Sequence, residues 1–149
     1  MNDAEIRFIE LMGVVFQGNG SPRISGRIFG LLILKGSSLS LQYISTVLKI
    51  SKASASTNAR LLSNQGMVRL TTQPGERQDY YELVPNPLAK MTEKASLTMA
   101  NIADQVNEAK SHFDEGQHDV IQRIDQLENF YSMSATVLAD ISTKLDKLS

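Results

Sequence analysis

The segment from Leu39 to Leu83, LSLQYISTVLKISKASASTNARLLSNQGMVRLTTQPGERQDYYEL, restricts the possible folds more than any other part of the chain. Apolar residues recur at helical spacing in two short blocks and then alternate in two strand-length blocks around Gln73-Pro74-Gly75-Glu76-Arg77-Gln78. Two short helices bury little surface by themselves. A hairpin folded against them completes a small core and leaves one helix face outside, an arrangement known as a winged helix-turn-helix.

The local signals support each element. Ser40 is placed to cap a helix whose Ile44, Val47 and Leu48 point inward, Lys49-Ile50 form a turn, and Ser51 caps the next helix, which runs through Gln65. Ala55, Ala59 and Leu62 form the buried side of that second helix, so Lys52, Ser54, Ser56, Thr57 and Arg60 occupy its open side. Gly66 suits a left-handed helix end, Met67 to Thr72 alternate as a strand, and Asp79 to Leu83 return. Upstream, a mostly apolar helix ends at Gly18-Asn19-Gly20. A second begins with Ser21 as cap and Pro22 in its first position, and stops at Gly36. Gly26 and Gly30, four apart, leave a smooth face for another backbone.

The net charge of −1 conceals a division. Between residues 21 and 84, Arg23, Arg27, Lys35, Lys49, Lys52, Arg60, Arg69 and Arg77 face only Glu76, Asp79 and Glu82, whereas acids outnumber bases from Pro85 onward. A phosphate-seeking half therefore precedes a half with another task. Arg77 lies at the hairpin tip, where a guanidinium suits a narrow A·T-rich minor groove. Serines 51, 54 and 56 can donate to phosphate or base edges, with Ser51 a cap first. Asn58 has the chemistry to read adenine but lies further round the helix, where the wing is its other partner.

After Pro85-Asn86-Pro87 the pattern changes to long helices interrupted at Gly116. The first, with Leu88, Met91, Ala95, Thr98 and Ile102, keeps its stripe imperfectly. From Val120 the repeat is cleaner, through Ile124, Leu127, Tyr131, Ser134, Leu138, Ile141, Leu145 and Leu148. An amphipathic helix of about 30 residues extends roughly 45 Å. It needs its neighbouring helix or a second chain to cover it, and the expected dimerisation residues are Ile102, Val120, Ile124, Leu127, Tyr131, Leu138, Ile141 and Leu145.

The blocks PRISGRIFGLLIL, ISKASASTNARLLSNQGMVRL and PGERQDYYEL, in that order, resemble the MarR superfamily and in particular its GbsR-type subgroup of bacterial and archaeal regulators. The resemblance runs from Pro22 to Leu83, somewhat over a third of the chain. It implies a winged-helix homodimer on palindromic double-stranded operator DNA, often governed by a small-molecule effector. Two positions depart from the pattern: Lys49 occupies a turn position where many such proteins have Gly, and Glu76 precedes the wing arginine where Asp is common.

Other chemistries find little footing. The chain has no cysteine, so disulfides and thiolate metal sites are excluded. His112, Asp114, Glu115, His118 and Asp119 match no zinc or calcium spacing, and Gly18-Asn19-Gly20-Ser21 lacks the strand and lysine of a phosphate loop. No cofactor, no metal and no enzymatic activity are expected, and the lack of a signal or membrane-length apolar run points to a soluble cytoplasmic protein without a membrane partner. The expected fold is mainly α with a small β-hairpin wing (α+β), with residues 1–87 as the DNA-binding domain and 88–149 as a helical dimerisation region. Two functional readings stay open: a DNA-binding transcriptional regulator using Ser51, Lys52, Ser54, Ser56, Thr57, Arg60 and Arg77, and a protein-interaction module that uses the same scaffold without specific DNA binding.

Overall fold

The computed structural model of the chain describes residues 1–148, which divide into two compact units, residues 1–87 and 88–148. The first unit contains α1 (Asp3–Gly18), α2 (Arg23–Lys35), β1 (Leu39–Ser40), α3 (Leu41–Leu48), α4 (Lys52–Asn64), β2 (Val68–Thr71) and β3 (Tyr80–Leu83); the chain then continues into α5 (Pro87–Lys110) and α6 (His118–Lys147). Among the described residues no helix is long and apolar enough to cross a membrane.

The core of the first unit forms where α2, α3 and α4 meet. Ile28, Leu31, Leu32, Ile44, Ala55, Ala59 and Leu62 are almost completely enclosed. Each large aliphatic side chain buried there contributes roughly 1.5–3 kcal/mol. Met67, Val68 and Tyr81 extend this core into the sheet. The wing is a winged-helix sheet of three antiparallel strands in the order β1-β3-β2, not the two-stranded hairpin expected from the sequence. Leu39 pairs with Tyr81 and Ser40 with Tyr80, so the two residues leading into the α3 cap double as an edge strand. Two residues carry no alternation that a sequence pattern can reveal.

The helix ends follow the expected chemistry with one shift. Ser40 and Ser51 accept from the Tyr43 and Ser54 amides at 3.0 Å. Helix α2, however, starts at Arg23, with Pro22 itself as the cap residue and no side-chain cap bond. Gly26 and Gly30 act as the sequence implies. A Cβ on Gly26 would run into the Met12 carbonyl and the Phe16 Cβ, and one on Gly30 would lie 3.3 Å from the Ile9 Cα, so α1 and α2 touch nearly backbone to backbone. Phe16 and Phe29 stack beside them with ring centroids 5.4 Å apart.

The second unit is an antiparallel helical hairpin whose seam is made of small residues. Ala89, Ser96 and Ala103, seven apart on α5, are buried, as are Ala135 and Ser142 on α6. Ser96 Oγ donates to the Ala135 carbonyl at 2.7 Å, and Ser142 Oγ donates to the Ala89 carbonyl at 2.9 Å. Toward the turn, Lys110 Nζ reaches Asp125 at 2.7 Å and Glu128 at 2.8 Å, and Asn107 Nδ2 donates to Glu128 at 2.8 Å. These contacts place one side of α6 against α5, beside the hydrophobic repeat of that helix. Of the seam inferred there, Val120, Ile124, Tyr131, Leu138 and Leu145 are half-buried, while Leu127 and Ile141 are 47% and 41% exposed. On α5, Ile102 is half-buried and Leu88 exposed. A hydroxyl reaching the facing main chain requires close helix approach, and bulky side chains would hold the axes at the usual 8–10 Å or so.

Two outcomes are expected. Gly26→Ala should destabilise the first unit by about 1–3 kcal/mol, since the new methyl group meets backbone that cannot swing aside; denaturant unfolding measures it. Lys110 and Asn107 hold the Glu128 carboxyl below its ordinary value of 4.5, and Asp125 and Glu128 raise the Lys110 ammonium. The carboxylate's contribution is therefore complete above pH 4.5 and disappears as pH falls through the depressed value. The ammonium's contribution is complete below 10.5 and disappears as pH rises through the elevated value. An NMR titration should find the Glu128 midpoint below 4.5 and moving upward in Lys110→Met.

Candidate nucleic-acid interface

The open side of α4 faces the base of the wing. Lys52, Ala53 and Ser56 from α4, Leu41 from the start of α3, and Arg77, Gln78 and Asp79 from the β2–β3 loop surround one cleft of about 430 Å³. The wing is held there by main chain, because the Leu41 amide donates to the Asp79 carbonyl at 3.0 Å. At the tip, Pro74 and Gly75 occupy the centre of a β-turn, with the Glu76 amide donating to Gln73 at 3.0 Å and Gly75 at φ +78°. Gln73 Nε2 donates to Ser38 Oγ at 3.1 Å, anchoring the arm that carries Arg77.

Of the residues singled out in the sequence, Lys52, Ser56 and Arg77 converge on this cleft. Arg60, one helical turn beyond, is exposed and its Nη2 lies 3.4 Å from Ser56 Oγ. Thr57 is exposed on the same helix; Ser54 is half-buried, its amide bound to the Ser51 cap. Asn58 is excluded as a base reader, since it is buried and donates to the Ser54 carbonyl at 2.9 Å. Glu76 and Arg77 form no ion pair with each other among the described residues, so the carboxylate does not orient the guanidinium. Leu41, Ala53, Gln78 and Asp79 escaped the sequence reading because they join the cleft through strand pairing and the path of the wing rather than through local pattern.

The basic residues divide into two groups. Arg23 and Arg27 pair with Glu10, and Arg69 pairs with Glu82 at 2.9 Å. Lys35, Lys49, Lys52, Arg60 and Arg77 have no ion pair among the described residues and remain available to an anion. Beneath the helix, burial pushes the Tyr81 phenol above its ordinary value and Asp79 adds to the effect, while the Arg60 charge opposes it. Lys49 sits in the turn at φ +56°, a left-handed position that favours glycine, which accounts for the Gly of related turns. The result is a row of cations and hydroxyls along one helix face, flanked by a cationic arm, a geometry suited to a major groove and its neighbouring minor groove.

Known proteins are similar to this chain. Over 100 residues, 66% of its length, it is 32% identical to the HTH-type transcriptional regulator MmpR5 of Mycobacterium tuberculosis. The match spans 61% of that relative, less than two thirds of its length. The crystal structure of a transcriptional regulator superposes with a TM-score of 0.86 over 97% of this chain and 99% of its own, at 23% identity. No model of a known protein family matches the sequence. The likeness in structure establishes the fold: a winged helix of mainly α composition with a three-stranded sheet, shared with a transcriptional regulator.

Proposed function

We propose that this chain is a non-enzymatic, DNA-binding transcriptional regulator of the MarR type and of its GbsR-type subgroup, acting as a homodimer on palindromic double-stranded operator DNA. The observation that carries the reading is the convergence of Lys52, Ser56 and Arg77 on one open cleft with Arg60 one helical turn beyond, the three cations having no ion-pair partner among the described residues. The regulatory relative and the resemblance noted in the sequence support it. In this reading α4 enters the major groove and Arg77 the adjacent minor groove, with Ser51, Ser54 and Thr57 donating to backbone or base edges. Residues 1–87 hold DNA and residues 88–149 pair the subunits. Control by a small-molecule effector belongs to the same proposal.

The homodimer rests on a second observation. Leu127, Phe130, Val137 and Ile141 lie exposed on α6, spaced with Ser134 at steps of three and four, and Met133 beside them is 67% exposed. Such a continuous uncovered seam is uncommon on a monomer and suits a second copy of the same helix. The same face supports the alternative of a protein-interaction module, which predicts no DNA retention at moderate salt.

Gel shifts with genomic fragments across a salt series decide between the two. Arg60→Ala should lower operator affinity by about 1–3 kcal/mol and relax base preference, whereas Arg77→Ala should weaken binding most at A·T-rich flanks and reduce the salt slope by about one. Unchanged binding by both variants would remove α4 and the wing as the interface. Phe130→Asp with Val137→Asp should convert the dimer to a folded monomer in sedimentation at micromolar concentration, because both side chains are largely exposed within the hairpin. An unaltered chain that already sediments as a monomer would exclude the dimer.

A further inference from the structure

Arg27 belongs to the basic half of the chain, yet it points inward. From the middle of α2 its Nε donates to Glu10 Oε1 of α1 at 2.9 Å, and its Nη2 donates to the Leu48 carbonyl at the end of α3 at 3.1 Å. The side chain is only 20% exposed. Glu10 is itself shared, accepting from Arg23 Nη2 at 3.1 Å through its other oxygen. Gly13 makes room for both arginine stems, since a Cβ there would lie 2.9 Å from Arg27 Cγ and 3.0 Å from Arg23 Cγ.

The contact falls at a sensitive point. An eight-residue helix leaves its last carbonyls without helical partners, and its C-terminus carries partial negative charge. In α3 the Ser45 carbonyl takes the Lys49 and Ile50 amides, Ser45 Oγ donates to the Ile50 carbonyl at 2.6 Å, and the Leu48 carbonyl takes Arg27. Lys49 then turns left-handed, and two residues later Ser51 caps α4. The direction in which α4 leaves the turn is therefore set partly by a guanidinium anchored to α1.

We propose that Arg27 is a positioning residue for DNA binding: by joining Glu10 to the Leu48 carbonyl, it holds the α3–α4 turn and so aims the face that carries Lys52 and Arg60. The proposal rests on the DNA-binding reading above. It assigns Arg27 no contact with DNA, which separates it from Lys52, Arg60 and Arg77.

The test uses the full chain at a temperature where every variant is folded by circular dichroism. Arg27→Ala is expected to lower operator affinity about tenfold, the scale of a lost charge-assisted hydrogen bond, while its salt slope matches that of the unaltered protein. Without DNA, the Ile50 and Ser54 amides should exchange with solvent faster in this variant, while amides in the middle of α2 keep their protection. Arg27→Lys presents one nitrogen to two partners and should fall between the unaltered chain and Arg27→Ala; it also serves as the test if Arg27→Ala does not fold. Unaltered affinity in Arg27→Ala or in Arg27→Lys overturns the proposal, as does a slope reduced by about one, which would make Arg27 a phosphate ligand. An unaltered protein that retains no DNA at low salt defeats the DNA reading instead, and unchanged exchange at Ile50 and Ser54 then defeats the tie on its own terms.

Discussion

The first unit depends on the contact between α2 and α4. Ala55 and Ala59, both fully enclosed, keep α4 close to Ile28, Leu31 and Leu32, and Leu62 closes the far end. Larger residues at the two alanines would push α4 outward and separate it from the wing, whose Met67, Val68 and Tyr81 rest on the same core. Once that side is buried, the helical period leaves Lys52, Thr57 and Arg60 in solvent. The polar face is thus a consequence of how the apolar face packs.

Electrostatics divides the basic residues according to what lies near them. Glu10 and Glu82 engage three arginines, whereas Lys52 and Arg77 line the cleft, Arg60 lies one helical turn beyond and Lys49 occupies the α3–α4 turn. A guanidinium with several donors can satisfy a carboxylate and a helix carbonyl together, which explains Arg rather than Lys at position 27. Exposed pairs such as Arg69 with Glu82 contribute little to stability. Their larger effect is to reduce the field available to a polyanion on that side of the sheet.

In the second unit, close approach rather than bulk decides which residues meet. The paired serine hydrogen bonds, Ser96 to Ala135 and Ser142 to Ala89, fix the register of the hairpin as well as its separation. A hydroxyl buried without an acceptor would be costly, so sliding one helix along the other would strand both. The large side chains Phe130, Met133 and Val137 are left on another face, where together with Met99 and Leu138 they border an apolar groove of about 460 Å³.

Local chemistry made much of this chain legible. The serine caps of α3 and α4, the glycines at positive φ, the Pro-Gly wing tip and the alanine stripe of α4 each act within a few residues, so the sequence alone determined the winged helix-turn-helix and the open face with Lys52, Ser56 and Arg60. The tertiary structure decided the rest. Strand β1 exists only because β3 lies beside it, and Arg77 meets Lys52 only because the wing folds back to the start of α4. On α6 the buried Ala135 and Ser142 stand one residue past Ser134 and Ile141 of the apolar repeat, and hydrogen bonds between residues 39 and 53 positions apart bring that side to α5. A periodic pattern states that a face is buried; which face it is depends on partners brought in from elsewhere in the chain.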